Sequence, residues 1–453
     1  MEAPAVMKAQ AHTVVVGLGT TGLACARFLA ARGEAFTVAD TRDAPPQLET
    51  LRSECPDAEV VTGGLPESLL AGAREILLSP GVPLTQPAVR AAVELGVPVI
   101  SEIELFCRHA RAPIAAVTGS NGKSTVTTLV GRMASAAGRR TAVGGNLGRP
   151  ALALLDDHDV DLYVLELSSF QLETTHSLRA KAAVVLNVSA DHMDRYPSLA
   201  AYARAKGVIY HGAETAVVNR ADPAAAGLVD GTQLRAVSFG LDTPTRAGDF
   251  GLLNDDTGRT WLVQGARRLL EAAELKVVGR HNQANVLAAL AVGEAMGLPE
   301  AAMLDAAAAF PGLPHRTEWV LRHDGVDYIN DSKGTNVGAA MAAIEGLGGP
   351  LVLIAGGQGK GADFAPLGAA LAGKARAVVL IGVDGAAIAA AIGGRVPVYR
   401  EPDLEAAVAR AAAVAVPGDQ VLLSPACASF DMFSGFEARG EAFKRAVRGV
   451  AHG

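Results

Sequence analysis

Short apolar runs rich in β-branched residues alternate with alanine-rich stretches along nearly the whole chain. The runs include TVVVG, AFTVAD, EILLSPG, PIAAVTG, DLYVLELS, AAVVLNV, PLVLIAGG and ARAVVLIG. Continuous apolar runs of this length are typical of buried parallel strands, and the stretches between them are long enough for helices. The alternation therefore predicts an α/β fold with mostly parallel sheets.

Two breaks in this pattern predict domain joints. A chain of 453 residues is too long for one ordinary core. One break lies at about residues 108–112, before PIAAVTGSNGKST, and the other lies in FPGLPHR, at about residues 310–314. We therefore predict three domains, at residues 1–110, 111–312 and 313–453.

Composition argues against several classes of protein. The net charge of −7 and the pI of about 5.8 disfavour a nucleic-acid partner. Cys25, Cys55, Cys107 and Cys427 are scattered without a CxxC pair, so reduced cytosolic thiols are expected rather than a disulfide framework. The N-terminal stretch MEAPAVMKAQAH has no apolar core of signal-peptide length, and no apolar run is long enough to span a membrane.

The segment HTVVVGLGTTGLACARFLAARGEAFTVAD carries the glycine pattern of a dinucleotide-binding turn. Gly17, Gly19 and Gly22 follow a strand-like run and open a helical stretch, and a second strand-like run ends at Asp40. Taken alone, this pattern favours a nicotinamide- or flavin-dependent oxidoreductase. The turn itself requires only a pyrophosphate, however, and Asp40 suits any ribose or base-edge donor.

A second glycine-rich loop, AVTGSNGKST, follows another strand-like run. Gly119 and Gly122 let backbone N–H groups converge on phosphate oxygens, and the following helix adds a favourable dipole. Lys123 suits the β/γ-phosphates and Ser124 suits Mg²⁺. The strict phosphate-loop pattern needs glycine where Val117 stands, so this is a variant loop; a chance βα turn is the alternative. Two such loops predict two phosphate-bearing ligands, one in each domain.

Polar residues that follow two further strand-like runs predict a metal site. Glu166 ends the run in LYVLELSSFQLE, and Asp191 and His192 follow the run in AAVVLNVSADHMD, whose strand is expected to end near Val188. Carboxyl ends of parallel strands share one edge of a sheet, where ligands bind. A solvated Glu166 and a structural His192 are the alternatives. From its pattern alone, Lys206 in SLAAYARAKGVIY is a solvated helix lysine.

The runs TGSNGKST, ELSSFQLE, NVSADHMDRYP and GRHNQANVLAAL resemble the Mur ligases of peptidoglycan synthesis. The C-terminal runs LPHRTEWV, INDSKGTNVGAA, IAGGQGKGADF and LLSPACASFDMFSGFEARG narrow the resemblance to the members that add D-glutamate. The resemblance covers nearly the whole chain. It implies a Rossmann-like first domain that binds the UDP of a UDP-sugar rather than NAD, a central ATP-binding domain, and a Rossmann-like C-terminal domain that closes over the site.

The resemblance also implies the reaction and its partners. The substrates are UDP-N-acetylmuramoyl-L-alanine, ATP and D-glutamate, and the reaction passes through an acyl phosphate in the cytoplasm. Two Mg²⁺ ions are expected, and Mn²⁺ is an acceptable substitute because hard oxygen sites accept both. No nucleic acid or membrane takes part, and the enzyme is expected to be a monomer.

The implied site residues fall into five groups, and every assignment in them comes from the resemblance. The catalytic residues are Lys123, His192 and Lys206. The metal ligands are Ser124, Glu166, His192 and Lys206 as its carbamate. The ATP-binding residues are Gly119, Ser120, Asn121, Gly122, Lys123, Ser124, Thr125, Asn282, Asn285, Arg316 and Asp331. The UDP-substrate residues are Thr20, Thr21, Asp40, Thr41, Arg42, Ser79, Gly81, Asn146, Ser168 and Gln171. The D-glutamate residues are Lys333, Thr335, Lys360, Ser429, Phe430 and Phe436.

Some of these positions have simpler interpretations. Helix N-capping accounts equally well for Asn282. A hinge-surface ion pair is the alternative for His315, Arg316 and Asp331. Cys427 is interpreted as a packing residue, and Phe430 stands where a smaller aliphatic residue is usual in the family.

Four other functions compete with this interpretation. A sister Mur ligase with a different amino-acid specificity and a folylpolyglutamate synthase share the phosphate loop and the carbamate lysine. The intact GxGxxG domain disfavours the folate enzyme, and SPACASFDMF disfavours ligases that add a diamino acid or a dipeptide. An NAD-dependent oxidoreductase predicts a change in cofactor absorbance, and a nucleotide sensor predicts ATP binding without turnover.

Overall fold

The computed structural model describes residues 12–452 and shows the expected α/β architecture. Residues 1–11, most of the stretch in which no signal peptide was predicted, lie outside the described residues. Within the described part of the chain, every helix is too short or too polar to cross a membrane.

The chain packs into two compact units. Among the described residues, the first contains 12–188, His192–Ser238 and Ala289–Met303, and the second contains Ser189–Asp191, Phe239–Ala288 and 304–452. The three-domain boundaries drawn from the sequence stay a prediction.

The first unit begins with a parallel sheet in the order β3-β2-β1-β4-β5, with helices between its strands. Its strands are β1 (Thr13–Val16), β2 (Phe36–Ala39), β3 (Glu59–Val61), β4 (Glu75–Leu78) and β5 (Val99–Ile100). Its helices are α1 (Thr20–Ala30), α2 (Leu48–Glu54), α3 (Glu67–Ala71), α4 (Pro87–Glu94) and α5 (Glu102–His109). The strand order reverses at β1, and a ligand crevice is expected at the carboxyl ends of the strands around such a point.

A second sheet follows in the same unit, with its strands in the order β11-β10-β9-β6-β8-β7. The strands are β6 (Ile114–Thr118), β7 (Thr141–Gly145), β8 (Leu162–Glu166), β9 (Ala182–Val185), β10 (Thr215–Asn219) and β11 (Arg235–Phe239). The helices are α6 (Lys123–Ala136), α7 (Ser169–Leu172), α8 (Leu199–Gly207) and α9 (Pro223–Ala226). Strand β6 is buried along its whole length between β8 and β9, so the loops after these three strands share one edge. A continuous apolar core joins α5 to this sheet, where the rings of Phe106 and Tyr163 meet edge to face at 5.0 Å.

The second unit holds an antiparallel ribbon and a third sheet. The ribbon consists of β12 (Phe250–Asn254), β13 (Thr260–Gln264) and β14 (Arg267–Glu271). Helices α10 (Arg280–Met296) and α11 (Glu300–Ala309) follow it along the chain. Short 3₁₀ helices elsewhere in the chain span Leu152–Leu154, Val208–Tyr210, Gly227–Val229 and Ala272–Glu274.

The third sheet has the order β15-β16-β20-β17-β18-β19, and only the β15–β16 pair is antiparallel. Its strands are β15 (Glu318–His323), β16 (Val326–Asn330), β17 (Leu351–Gly356), β18 (Ala375–Ile381), β19 (Val398–Arg400) and β20 (Gln420–Leu423). Its helices are α12 (Val337–Gly346), α13 (Ala365–Leu371), α14 (Gly385–Ile392), α15 (Leu404–Val414) and α16 (Phe436–His452). Helices α12–α14 pack on one face and α15–α16 on the other, so the strands are buried on both sides.

Candidate active site

The first glycine-rich turn lies against the end of β4. Gly17 has φ +91°, and a Cβ there would lie 2.8 Å from the Cβ of Ser79. A Cβ on Gly22 would lie 1.9 Å from the Gly17 carbonyl oxygen, so α1 packs closely on the turn only because residue 22 is glycine. The Ser79 hydroxyl donates to the same carbonyl at 2.8 Å. Thr20 and Thr21 begin α1 directly after this turn.

Asp40 is already engaged within the protein. It is 3% exposed; its Oδ2 accepts from the Leu18 N–H at 2.7 Å, and the Arg42 guanidinium donates to both carboxylate oxygens at 2.9 and 2.7 Å. The hydrogen bonds from Arg42 lower the pKa of Asp40 to about 2, although burial opposes them. Asp40 therefore supports the turn, while Thr41, Arg42 and Gly81 are exposed.

The second loop has the backbone that a phosphate loop requires. Gly119 and Gly122 have φ +153° and +85°, and Gly122 immediately precedes the first residue of α6, Lys123. The Lys123 ammonium folds back over the loop and donates to the carbonyls of Gly119 at 2.8 Å and Ser120 at 3.0 Å. Ser124 and the adjacent Thr125 are buried in the first turn of α6.

Asn187, which the sequence interpretation missed, holds this loop in place. Its carbonyl accepts from the Ser120 N–H at 2.9 Å. Its side chain accepts from the Asn121 N–H at 2.8 Å and donates to the Asn121 carbonyl at 3.0 Å. The sequence signal that could have indicated Asn187 is its position as a polar residue shortly after a buried strand that neighbours β6.

The strand that leads to Asn187 was predicted too long. Strand β9 ends at Val185 rather than near Val188. The Leu186 N–H still donates to the Thr118 carbonyl at the end of β6 at 2.9 Å, but the Val188 N–H donates to the Asp222 side chain, at Oδ2, at 2.8 Å.

Glu166 fits a cation ligand. It is 2% exposed; its Oε1 accepts from Asn146 Nδ2 at 2.7 Å, and its Oε2 has no hydrogen-bond partner among the described residues. An unpaired buried carboxylate oxygen is costly unless a ligand satisfies it. Asn146, predicted to contact the substrate, lies against this carboxylate.

The protein offers only a partial set of metal ligands. No three His, Cys, Asp or Glu side chains converge into a metal site within residues 12–452. Mg²⁺ is commonly held by one or two carboxylates together with substrate phosphates, so a single carboxylate and the Ser124 hydroxyl fit this ion.

Lys206 is buried, and the solvated-lysine interpretation is therefore wrong. The side chain is 1% exposed, and its ammonium donates to the Gly119 carbonyl at 2.9 Å. Its nitrogen also lies 4.3 Å from the centre of the Tyr202 ring. Lys206 is buried because α8 packs with this position facing the phosphate loop, and this packing is not visible in the local sequence pattern.

His192 lies on an exposed loop with φ +56°. Its ring packs edge to face on Phe170, with the ring centres 4.8 Å apart. Ser168 and Gln171 on either side of Phe170 form a capping box: the Gln171 N–H donates to the Ser168 hydroxyl at 3.2 Å, and the Ser168 N–H donates to Gln171 Oε1 at 2.9 Å. This pair therefore has a local structural role as well as its predicted one.

Asn282 is not an N-cap, so that alternative is wrong. Helix α10 begins at Arg280, and the Gly279 carbonyl accepts from the Asn282 N–H at 3.0 Å. The Asn282 side chain instead donates to the Val278 carbonyl at 2.8 Å and accepts from Asn285 Nδ2 at 3.2 Å. A polar cavity of about 390 Å³ lies beside this helix start, lined by Leu241, Asp242, Thr243, Leu252, Asn254, Thr260, Arg280 and Gln283.

His315 and Asp331 belong to a buried network, so a hinge-surface ion pair is the wrong description for them. The His315 ring lies 2.9 Å from Asn330 Nδ2, and burial lowers the pKa of this histidine. The Thr317 N–H donates to Asp331 Oδ1 at 3.0 Å, and the Ser424 hydroxyl donates to Oδ2 at 2.7 Å. Burial raises the pKa of Asp331 to about 6.

The residues predicted to bind D-glutamate lie on three loops of the third sheet. Lys333 and Thr335 follow β16, Lys360 follows β17, and the remaining three residues follow β20. These strands are neighbours in the sheet, and Gln358 and Ala428 exchange backbone hydrogen bonds of 2.9 Å between two of the loops. The Lys333 ammonium lies 3.8 Å from the centre of the Phe436 ring. Ser429 is buried, Phe430 is 66% exposed and Lys360 is exposed with φ +53°.

Arg439 ties two of these loops together, and the sequence interpretation missed it. The side chain is 1% exposed and donates to the carbonyls of Ser332 at 2.9 Å and Cys427 at 3.1 Å. Burial lowers the pKa of Arg439 to about 10. Cys427 is fully buried in the core, which confirms its packing role.

Comparisons with known proteins agree with this arrangement. The sequence matches three family models, described as the MurD-like N-terminal domain of Mur ligases over residues 11–101, the Mur ligase middle domain over residues 117–293, and the Mur ligase glutamate ligase domain over residues 315–427. The chain therefore belongs to the Mur ligase family.

Curated relatives name one member of this family. The chain is 54% identical over 442 residues to the UDP-N-acetylmuramoylalanine–D-glutamate ligase of Nitrosococcus oceani. This alignment covers 97% of each of the two chains. It is 55% identical to the ligase of the same name from Pseudomonas aeruginosa, covering 97% of this chain and 98% of the relative.

Solved structures share the fold. A pseudomurein peptide ligase type C from Methanothermus fervidus matches with a TM-score of 0.61 at 17% identity, over 97% of this chain and 100% of that one. UDP-N-acetylmuramate–alanine ligase MurC from Thermotoga maritima matches with a TM-score of 0.59 at 18% identity, over 97% of this chain and 99% of that one. These two matches confirm the predicted three-domain α/β fold class.

Proposed function

We propose that this chain is an ATP-dependent amide ligase that adds D-glutamate to UDP-N-acetylmuramoyl-L-alanine in peptidoglycan precursor synthesis. The observation that carries the proposal is the identity of 54% and 55% to ligases of that name over nearly the whole chain. Both glycine-rich turns support it, because the reaction needs a nucleoside-diphosphate sugar and a nucleoside triphosphate.

The reaction has two steps. The free carboxylate of the UDP-substrate attacks the γ-phosphorus of ATP, which forms an acyl phosphate and releases ADP. The amine of D-glutamate then attacks the acyl carbon, loses a proton, and displaces phosphate through a tetrahedral intermediate. Carboxylate and triphosphate repel each other, so the protein must supply positive charge and alignment.

The phosphate loop supplies both. The amides of Gly119–Gly122 and the N-terminus of α6 hold the triphosphate, with contributions from Ser120, Asn121 and Thr125. Lys123 leaves the carbonyls of its own loop and neutralises the β- and γ-phosphates. Asn282, Asn285, Arg316 and Asp331 complete ATP binding in this proposal.

Ser124, Glu166 and His192 would hold Mg²⁺, together with Lys206 as a carbamate. Two ions are proposed, and Mn²⁺ is an acceptable substitute. When bound, the metal would supply positive charge that offsets the repulsion between the substrate carboxylate and the triphosphate. The unpaired Oε2 of Glu166 supports this assignment.

Binding of the two other substrates is assigned to separate loops. Thr20, Thr21, Asp40, Thr41, Arg42, Ser79, Gly81, Asn146, Ser168 and Gln171 are assigned to the UDP-substrate. Lys333, Thr335, Lys360 and Ser429 provide cations and hydroxyls for the two carboxylates of D-glutamate, beside Phe430 and Phe436. The proposal places a monomeric enzyme in the cytoplasm, where this substrate is made.

The test is phosphate release from ATP and Mg²⁺ with UDP-N-acetylmuramoyl-L-alanine. D-Glutamate, L-glutamate, meso-diaminopimelate and L-alanine are offered in parallel. Release with D-glutamate alone is the expected result. Release with another amino acid would assign the chain to a sister step. No release, with substrate binding shown separately, would contradict the proposal and make NAD the next ligand to test.

A further inference from the structure

Arg195 connects three elements of the first unit. Its side chain is 17% exposed. One guanidinium nitrogen donates to the Pro80 carbonyl at 2.7 Å, and another donates to Glu173 Oε2 at 2.9 Å. The guanidinium carbon lies 3.9 Å from the centre of the Phe170 ring, within the distance of a cation–π contact.

Two partners of Arg195, Pro80 and Phe170, adjoin different parts of the candidate active site. Pro80 lies between Ser79 and Gly81, which the proposed function assigns to the UDP-substrate. Phe170 supports the His192 ring from its edge. Arg195 thus contacts both the segment after β4 and Phe170, the ring on which His192 packs.

The segment after β4 needs such an anchor at Pro80. Ser79 is held by its N–H, which donates to the Val16 carbonyl at 2.9 Å, and by its hydroxyl on Gly17. Proline has no N–H to donate. Its carbonyl is therefore the remaining backbone group at that position that can hold the segment, and Arg195 takes it.

Glu173 keeps the guanidinium aimed at Pro80. One Glu173 oxygen accepts from Arg195, and the other accepts from the Tyr196 hydroxyl. Charge-assisted bonds of this kind have strong directional preferences, and a planar guanidinium can serve two partners and an aromatic face at once. A lysine at position 195 would supply one point charge and lose this geometry.

We infer that Arg195 is a positioning residue that sets the segment after β4, at Pro80, against the loop bearing His192. It touches no reacting atom and acts through Pro80 and Phe170. The inference rests on the proposed function, because it takes the UDP-substrate as the occupant of the first glycine-rich turn.

The test compares Arg195→Met with the wild-type enzyme in the phosphate-release assay with D-glutamate. We expect the KM for UDP-N-acetylmuramoyl-L-alanine to rise about tenfold, the size expected for one charge-assisted hydrogen bond. The KM for ATP should stay within about twofold, because the phosphate loop is untouched. Hydrogen exchange should accelerate at Val82, whose N–H donates to the Ser79 carbonyl at 2.9 Å, and remain unchanged at residues 119–130.

Further variants separate positioning from a general loss of structure. Glu173→Gln keeps the side-chain shape and should raise the same KM by less, and its effect should not add to that of Arg195→Met. Arg195→Lys should lie between wild type and Arg195→Met. Arg204→Met, which changes an exposed arginine on α8, should match wild type.

The outcomes distinguish this inference from the proposed function. If wild type turns over D-glutamate and Arg195→Met leaves the KM for the UDP-substrate unchanged, the inference is wrong. It is equally wrong if both KM values rise together with a lower melting temperature. If wild type itself shows no release with D-glutamate, the proposed function fails first.

Discussion

Lys123 and Lys206 donate to the same carbonyl oxygen, that of Gly119, at 2.8 and 2.9 Å. Two cationic side chains on one acceptor repel each other in a partly buried loop. If Lys206 becomes a carbamate, as proposed, its charge changes from positive to negative, and this repulsion becomes attraction. The shared oxygen is thus the structural observation that bears most directly on the proposed chemistry.

The first prediction concerns Lys206. We expect Lys206→Ala to lose nearly all phosphate release, and high bicarbonate should not restore it, because the amine that forms the carbamate is gone. Lys206→Arg should be equally inactive, since a guanidinium retains the charge but forms no carbamate. Near-normal activity in either variant would refute the carbamate. With ¹³C-bicarbonate, a carbamate resonance should be present in wild type and absent from Lys206→Ala; Lys276→Ala, at an exposed position, is the control.

A second prediction concerns the unpaired oxygen of Glu166. Glu166→Gln should raise the Mg²⁺ concentration needed for half-maximal activity by at least about tenfold. The reason is that an amide replaces the one Asp or Glu carboxylate among the proposed metal ligands. The stabilising effect of Mg²⁺ with ATP on the melting temperature should shrink in parallel. Glu94→Gln, at an exposed position on α4, should behave like wild type. An unchanged Mg²⁺ requirement would remove Glu166 from the metal site.

Asn187 provides a third prediction. Asn187→Ala removes both side-chain bonds to Asn121, so the phosphate loop loses its support, and the KM for ATP should rise about tenfold. Asn187→Asp should be worse, since it loses the donor and adds a negative charge near the phosphates. The KM for the UDP-substrate should change little. Gln233→Ala, at an exposed position, is the matched control; equal KM values for ATP in all these proteins would show that the loop holds its shape without Asn187.

The fourth prediction concerns pH and Glu102. Burial raises the pKa of Glu102 from 4.5 to about 7, although its carboxylate accepts from the Leu152 N–H at 2.8 Å. Because the pKa is higher in the folded chain, the protonated form stabilises the fold below pH 4.5, and this contribution falls as the pH rises to about 7. Glu102→Gln removes the titration and keeps an acceptor for Leu152.

The free energy of unfolding of Glu102→Gln, relative to that of wild type, should therefore increase as the pH rises from 5 to 8. The increase should be at most about 3 kcal/mol, because one pKa unit corresponds to about 1.36 kcal/mol. Melting temperatures across this range check the prediction, with Glu67→Gln as an exposed control. A constant difference between Glu102→Gln and wild type at all pH values would show that Glu102 does not titrate there.

Much of the fold and several site positions were readable from local pattern. The apolar runs predicted β1, β6, β8 and β17 because a strand buried on both faces must be apolar throughout. The glycines at 17, 119 and 122 marked the two turns because positive φ angles are costly for other residues. Glu166 was placed at the end of β8 from the sequence, and its metal role stays a prediction based on the shared edge of neighbouring parallel strands.

Other features depended on strand order and helix placement, which local pattern does not contain. Three examples join residues far apart along the chain. They are the burial of Lys206, the hydrogen bonds of Asn187 to the phosphate loop, and the hydrogen bonds of Arg439 to two loops. Asp40 stays a predicted ligand residue, and its hydrogen bonds with Arg42 are not visible in a motif. Local pattern specifies which segments form strands, helices and turns, because these depend on side-chain periodicity and backbone dihedral preferences. Which polar side chains meet in the interior depends on how those segments pack, because a buried polar group takes whichever partner the packed fold brings within hydrogen-bond distance.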